Sequence, residues 1–366
     1  MAVNPLANPK GIKLLCELCQ KPALIQCTKC RLTYYCGAEH QNIDWIGIHE
    51  KVCQLLIPLR TPIPFASGSE EERKHRKEQQ KVRQKQMIEL TRTVGQKLLF
   101  EGKYEYAIPA AMQSLKFSID VYGLASIELV PSYLILGEAC IGLGRLPQAE
   151  EYLSQAQWTV LKTPTCSNAI KSRLYRNIGL LYATQGNSKE ALRQFADDIY
   201  HSSLEFGTNN ISTSGGYFHM ANVFFRQNKL DVAFSLYSQV TEIWFDHLNN
   251  LVDQRIQEPP PPSGIGPAQI ASEKVEFDHL DEAQEAEVVQ VLGAILELRE
   301  NQAVQTPSTM CSIYFTTAMM HLVLNNFEKA RIFGTKALES SQAGVTIEES
   351  MKNRIEEFLK AVDRLL

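Results

Sequence analysis

Along residues 87–247 small, apolar and turn-forming positions recur with a fixed period. Gly95, Gly137, Gly179 and Ala221 stand 42 residues apart. Seven residues after each come Gly102, Gly144, Gly186 and Asn228, types that accept a positive φ at a helix end. Five further on stand Ala107, Ala149, Ala191 and Ala233, small enough for two helices to cross closely. Ala111, Leu153, Phe195 and Tyr237 follow four residues later, one turn on along the same face. Each unit is therefore expected to be a helix, a short turn and a second helix. A fifth unit reads at YFTTAMMHLVLNNFEKARIFGTKAL, with Ala318, Asn325, Ala330 and Ala337 in the equivalent places. It lies 97 residues after Ala221 instead of 42, which predicts an insertion over 248–284. That insertion holds the Pro-rich EPPPPSGIGP (258–267) and leads into the acidic EFDHLDEAQEAE. After it, VVQVLGAILELRENQ predicts a helix packing as half a repeat, and IEESMKNRIEEFLKAVDRLL a helix that caps the stack.

The first 55 residues follow a different rule. Six of the nine cysteines lie there, in Cys16-x2-Cys19, Cys27-x2-Cys30, Cys36-x3-His40 and His49-x3-Cys53. Four ligand pairs suffice to close two tetrahedral zinc sites. A segment of about 40 residues buries little core, so zinc would supply most of its folding energy, roughly 10–16 kcal/mol per site. Paired histidines at ligand spacing argue against a disulfide framework. The opening MAVNPLANPKGIKLLC lacks the apolar run of a signal peptide, and no stretch of about 18 apolar residues occurs. A reducing, intracellular and cytoplasmic setting is the expectation. His49-Glu50 starts like a zincin motif, but position 53 is Cys, and eight ligands leave neither ion an open position. The expected metal role is structural.

The order of these residues resembles the MYND-type zinc finger: Cys16, Cys19, Cys27, Cys30, Tyr35-Cys36, Gln41, Asp44-Trp45, His49 and Cys53. The resemblance implies cross-braced ligation. One zinc would be held by Cys16, Cys19, Cys36 and His40, the second by Cys27, Cys30, His49 and Cys53. His40 stands where the family usually has Cys. Three residues separate Trp45 from His49 where two are expected, which predicts a distorted turn in the last helix. MYND fingers bind short proline-containing peptides, which makes Trp45 and Gln41 candidate peptide contacts; packing within the finger is the other role open to Trp45.

The repeats resemble the tetratricopeptide repeat, in a version lengthened from 34 to 42 residues. Stacks of this kind expose a groove that holds peptides or helices, and Arg173, Arg176, Asn177, Asn222 and Arg226 fall on or near first-helix positions that could face it. As ordinary solvated residues they would need no partner. Cys140, Cys166 and Cys311 read as small core residues.

Composition sharpens the division. Net charge is −4, which implies no polyanion partner, and 44% hydrophobic residues can bury a real core. Residues 58–68 carry three prolines and mark a boundary. Residues 70–90 carry charges of both signs at helical spacing, which favours a solvated helix over a nucleic-acid arm. The chain lacks an Asn-His dipeptide, so the SET methyltransferase signature is absent, as are a Walker loop, a GxGxxG after a strand and a GxSxG elbow.

The expected architecture is mainly α: a two-zinc MYND finger over 14–55, then a linker and charged helix over 56–86. Four repeats over 87–247 and the insertion over 248–284 follow. A helix, a fifth repeat and a capping helix fill 285–366, completing an α-solenoid of about five 42-residue hairpins. The expected function is a non-enzymatic scaffold that binds proteins or peptides, with no nucleic acid, membrane or small-molecule substrate. By resemblance its setting is the cilium or flagellum axoneme, with a nuclear co-regulator as the alternative. The finger and the repeats are expected to fold independently.

Overall fold

The computed structural model describes residues 4–5, 13–61, 69–257, 279–302, 305–343 and 349–366. The Pro-rich segment 258–267 and most of the 58–68 boundary lie outside the described residues. The chain divides into two compact units, residues 1–194 and 195–366.

In the first unit three two-residue strands, β1 (Asn4–Pro5), β2 (Ile25–Gln26) and β3 (Tyr34–Tyr35), pair antiparallel in that order. Then come α1 (Ala38–Asp44), a π-helical turn (Trp45–His49), α2 (Glu50–Val52) and α3 (Ile57–Arg60). The long helices α4 (Glu70–Phe100), α5 (Tyr104–Tyr122), α6 (Val130–Gly142), α7 (Leu146–Lys162) and α8 (Asn168–Thr184) follow, and the boundary between the units falls within α9 (Ser188–Phe206). A capping box starts α4: the Glu72 amide donates to Ser69 Oγ at 3.3 Å, and the Ser69 amide to Glu72 Oε2 at 3.1 Å. The charged stretch and the first repeat's first helix are thus one continuous helix of 31 residues.

The second unit holds the end of α9, α10 (Ile211–Arg226), α11 (Leu230–Gln257), α12 (Glu282–Glu300), α13 (Pro307–Val323), α14 (Phe327–Ala343) and α15 (Glu349–Leu365). Helix α11 continues ten residues past 247 because Leu248, Leu251 and Val252 are buried against the core of this unit. Arg255 follows them and donates to the Leu322 carbonyl at 2.9 Å, at the end of α13. Helix α15 buries Ile355, Phe358 and Val362, positions on one face, and packs on α14. Arg354 on α15 makes two hydrogen bonds to Asp253, at 2.9 and 3.1 Å.

Within each unit consecutive helices pack as antiparallel hairpins, the arrangement of an α-solenoid, and the periodic residues explain why. Gly102, Gly144, Gly186, Asn228 and Asn325 all have φ between +59° and +81°, the left-handed conformation that ends a helix. The amide three residues past the last helical residue reaches back to close the helix, as in Lys103 to the Leu98 carbonyl and Arg145 to Cys140, both at 2.8 Å. Ala107, Ala149, Ala191, Ala233 and Ala330 are completely buried. A Cβ built on Gly137 would lie 2.9 Å from a Leu153 methyl, so close helix approach demands the missing side chain. Cys140, Cys166 and Cys311 are buried, unbridged core residues.

Candidate metal centre and finger-helix junction

The short strands and α1 bring the eight amino-terminal ligands into two tetrads. Cys16, Cys19, Cys36 and His40 form one and Cys27, Cys30, His49 and Cys53 the other, with ligand atoms within 4.8 Å of one another. In the first, His40 Nδ1 lies 3.2 Å from Cys36 Sγ and 3.4 Å from Cys16 Sγ, and Cys19 and Cys36 sulfurs are 3.6 Å apart. In the second, His49 Nε2 lies 3.4 Å from Cys27 Sγ and 3.6 Å from Cys30 Sγ, and Cys27 and Cys53 sulfurs are 3.9 Å apart. Zn–S bonds of about 2.3 Å and Zn–N bonds of about 2.05 Å give tetrahedral edges of roughly 3.8 Å between sulfurs and 3.6 Å from sulfur to nitrogen. The six separations given lie within about 0.4 Å of those edges, and thiolate and imidazole are the donors zinc prefers.

Electrostatics also call for a cation. Burial opposes ionisation of Cys30, yet hydrogen bonds with His49 and Thr33 bring its thiol down to about 6. Burial pushes Cys53 up to about 12, and the neighbouring Cys30 and Cys27 add to the rise. Burial with Cys19 and Cys16 likewise pushes Cys36 up to about 11. Crowded thiols cannot all ionise beside one another; a divalent ion at their centre removes the conflict.

A second layer orients the ligands. Thr33 Oγ1, fully buried, lies 2.9 Å from Cys30 Sγ and 3.2 Å from His49 Nε2. His49 Nδ1 faces the buried Asp44 carboxylate at 3.8 Å, and Tyr35 donates to the same oxygen at 2.6 Å. This carboxylate–imidazole arrangement fixes which nitrogen of His49 is available to metal. Burial raises the Asp44 pKa, while the Tyr35 hydrogen bond and the His49 charge work the other way.

The extra residue before His49 takes the form of the π turn. One added residue would rotate the following helix by about 100°, and the wider turn absorbs it. His49 and Cys53 therefore stay one helical turn apart, with the Cys53 amide donating to the His49 carbonyl at 2.7 Å. Trp45 is half-buried in the finger, 5.8 Å from the His49 ring and under the Lys29 ammonium at 4.4 Å. Gln41 is buried.

The π turn is also where the finger meets the helices. Gly47 lies against α5: a Cβ there would fall 2.4 Å from the Tyr106 carbonyl oxygen and 3.1 Å from Pro109. Ile48, Val52 and Leu56 enter one hydrophobic core with Met87, Ile88, Leu98, Ala107, Ala110 and Ala111. Arg60 ties the edge, donating to the Leu32 carbonyl at 3.1 Å and Gln113 Oε1 at 3.2 Å and pairing with Glu17. Lys116 on α5 also pairs with Glu17, at 3.3 Å. The expectation of an independent finger is corrected: the finger and the first hairpin share a core. Thr33 and Arg60 carry no metal-ligand signature, and the sequence singled out neither. A cleft of about 350 Å³ opens at this junction, lined by Glu17, Leu18, Asp44, Met112, Gln113 and Tyr152 among others.

The repeat candidates are placed separately in the two units. In the first, Arg173 is exposed, Arg176 half-buried and Asn177 buried, its amide donating to the Arg173 carbonyl at 3.1 Å. In the second, Arg226 is exposed, and Asn222 accepts a hydrogen bond from Tyr237 at 2.6 Å. Asn177 and Asn222 thus serve their own units. Among the described residues no helix is long and apolar enough to cross a membrane.

Comparison with known proteins agrees at the finger. The Rho GTPase-activating protein gacZ of Dictyostelium discoideum is 40% identical over 60 residues, 16% of this chain and 6% of that protein. The chain thus spans a small fraction of the length of that curated relative. Among solved structures, BtubC (BKLC) from P. vanneervenii aligns over 72% of this chain and 84% of its own, at 14% identity and a TM-score of 0.36. Pseudomonas aeruginosa pilF aligns over 75% and 98%, at 11% identity and a TM-score of 0.31. At these scores neither adds to the fold described above. The family model for the MYND finger matches residues 16–53, the segment that holds both tetrads, and this part of the chain is a MYND zinc finger.

Proposed function

We propose that the chain is a non-enzymatic scaffold that holds protein partners through its finger and its helical repeats. The observation that carries this reading is the pair of closed tetrads: four protein ligands per ion leave no position for substrate or water, so the metal builds a surface. In this reading Cys16, Cys19, Cys36 and His40 hold one zinc, and Cys27, Cys30, His49 and Cys53 the other. Trp45, half-exposed beside Lys29, offers an aromatic edge to a proline-containing peptide, and Arg176 and Arg226 offer charge from the repeats. Gln41 and Asn177 are buried, so they would support such surfaces from beneath.

The setting we favour is the cilium or flagellum axoneme. The support is resemblance: long-period helical repeats are frequent in ciliary assembly. Proximity labelling with the full chain in ciliated and non-ciliated cells tests this. Enrichment of axonemal proteins is expected, whereas enrichment of transcription factors without them would move the protein to the nuclear co-regulator reading. Native mass spectrometry should find two zinc ions per chain. Transfer of labelled methyl groups from S-adenosylmethionine to histones by the purified protein would overturn the non-enzymatic part.

A further inference from the structure

The start of α4 carries a feature that neither the finger nor the repeats use. Its buried residues begin at Met87, while almost every residue from Glu70 to Gln86 faces solvent. Within residues 73–86 stand seven lysines and arginines against one carboxylate, Glu78. That is +6 on fourteen residues of a chain whose net charge is −4, so the remainder carries −10. All seven cations are exposed, and none has an ion-pair partner among the described residues.

Their order matters more than their number. Arg73, Lys77, Lys81 and Lys85 are spaced by four, which sets one cation per turn, about 6 Å apart, along one face. Arg76 and Arg83 lie roughly 120° or more round the helix from the middle of that row. At its inner end Lys85 sits 5.9 Å over the Tyr122 ring of α5. We propose that this row is a docking edge for an acidic α-helical segment of a protein partner, its carboxylates repeating every four residues. A helix of that kind places one acid per 6 Å and meets the cations one for one.

Two observations favour a polypeptide over nucleic acid. Residues 69–86 contain no Phe, Tyr or Trp on which a base could stack. Glu70 and Glu78 border the row, where they would repel phosphates but would accept lysines of a mixed-charge helix. The inference is independent of what the finger or the repeats bind.

Fluorescence anisotropy with the zinc-loaded full chain tests it, at 150 mM salt, where the screening length is about 8 Å. The probe is a 20-residue alanine-based peptide with glutamate at every fourth position. Its partners are a scrambled peptide of equal charge, the same peptide with lysine for glutamate, and a 20-base-pair DNA duplex. The aligned peptide should bind about tenfold tighter than the scrambled one. K77E/K81E, which lowers the charge of residues 73–86 from +6 to +2, should weaken it by at least about tenfold, the lysine peptide should bind neither protein, and R76A/R83A should change affinity less than about threefold. These residues are exposed, so circular dichroism and zinc content should match the parent. Equal binding of the scrambled peptide, an equal effect of R76A/R83A, or no binding would each overturn the proposal. Tighter binding of the duplex would assign the edge to nucleic acid, and salt-dependent self-association would assign it to a second copy; either result also overturns it.

Discussion

Replacing Gly47 with alanine should unseat the finger from the first hairpin. In an ordinary exposed helix interior the change is favourable by up to about 1 kcal/mol, because alanine is the better helix former. Gly293 on α12 offers that situation, since nothing lies within 4 Å of a Cβ built there. At Gly47 the added Cβ meets the Tyr106 carbonyl oxygen at 2.4 Å, about 0.9 Å inside an ordinary C···O contact of ~3.3 Å. That oxygen belongs to the backbone of α5, and the next obstacle is the Pro109 ring, so no flexible side chain can swing away. Overpacking costs about 1–3 kcal/mol, and a clash this deep against backbone takes the upper end, about 2 kcal/mol more than the propensity gain. A net loss near 2 kcal/mol is a factor of roughly 30 in local opening, since 1.4 kcal/mol is tenfold. Hydrogen exchange should therefore run about 30-fold faster in peptides covering 45–56 and 104–112, and a chelator should strip zinc faster. The Gly293→Ala variant should show neither effect and should be neutral or stabilised. If Gly47→Ala protects the same amides as well as the parent and keeps its zinc, the shared core of finger and hairpin is wrong.

The other expectations are briefer. Gly144→Ala places a Cβ in open space but at φ +70°, so it should cost about 1–2 kcal/mol through backbone strain alone, read by denaturant titration; no change would mean the turn is not left-handed. His40→Ala removes one ligand of the first tetrad and should lower native zinc content from two to one while also speeding exchange in α5; wild-type exchange there would restore an independent finger. Burial, with Lys329 nearby, holds His321 down at about 4, so the unfolded chain binds the proton first on acidification. The second unit should therefore lose stability as pH falls from about 6.5 towards 4, and His321→Gln should flatten that slope in melts followed by exchange in α13. An unchanged slope would count against a buried neutral imidazole.

Much of this was legible from spacing. Period-42 positions announced both the left-handed turn residues and the buried alanines, because helix ends and close crossings each admit few residue types. The ligands were legible for the same reason, since zinc accepts few donors at few separations. The one-residue excess between Trp45 and His49 foretold a distorted turn, which took the form of a π turn. What it could not foretell is the partner of that turn. Gly47 is small because of Pro109 and Tyr106, more than fifty residues away, and no local pattern records such a contact. Asn177 shows the opposite failure: a polar residue on a first helix looked available for a groove, yet it is buried and its amide donates to the Arg173 carbonyl of its own helix. Helix α11 outran its expected end because Leu248, Leu251 and Val252 find a core built largely from α12, α13 and α15.

The common core of Ile48, Val52 and Leu56 with α4 and α5 makes metal supply a thermodynamic input to the repeats. Where zinc binds only the folded finger, each tenfold rise in free zinc above the dissociation constant adds about 1.4 kcal/mol per site. Part of that increment reaches helices that hold no metal, through side chains that lie in both structures. A chain made under zinc scarcity would then present a loosened first hairpin, recognisable to quality control before any partner is met.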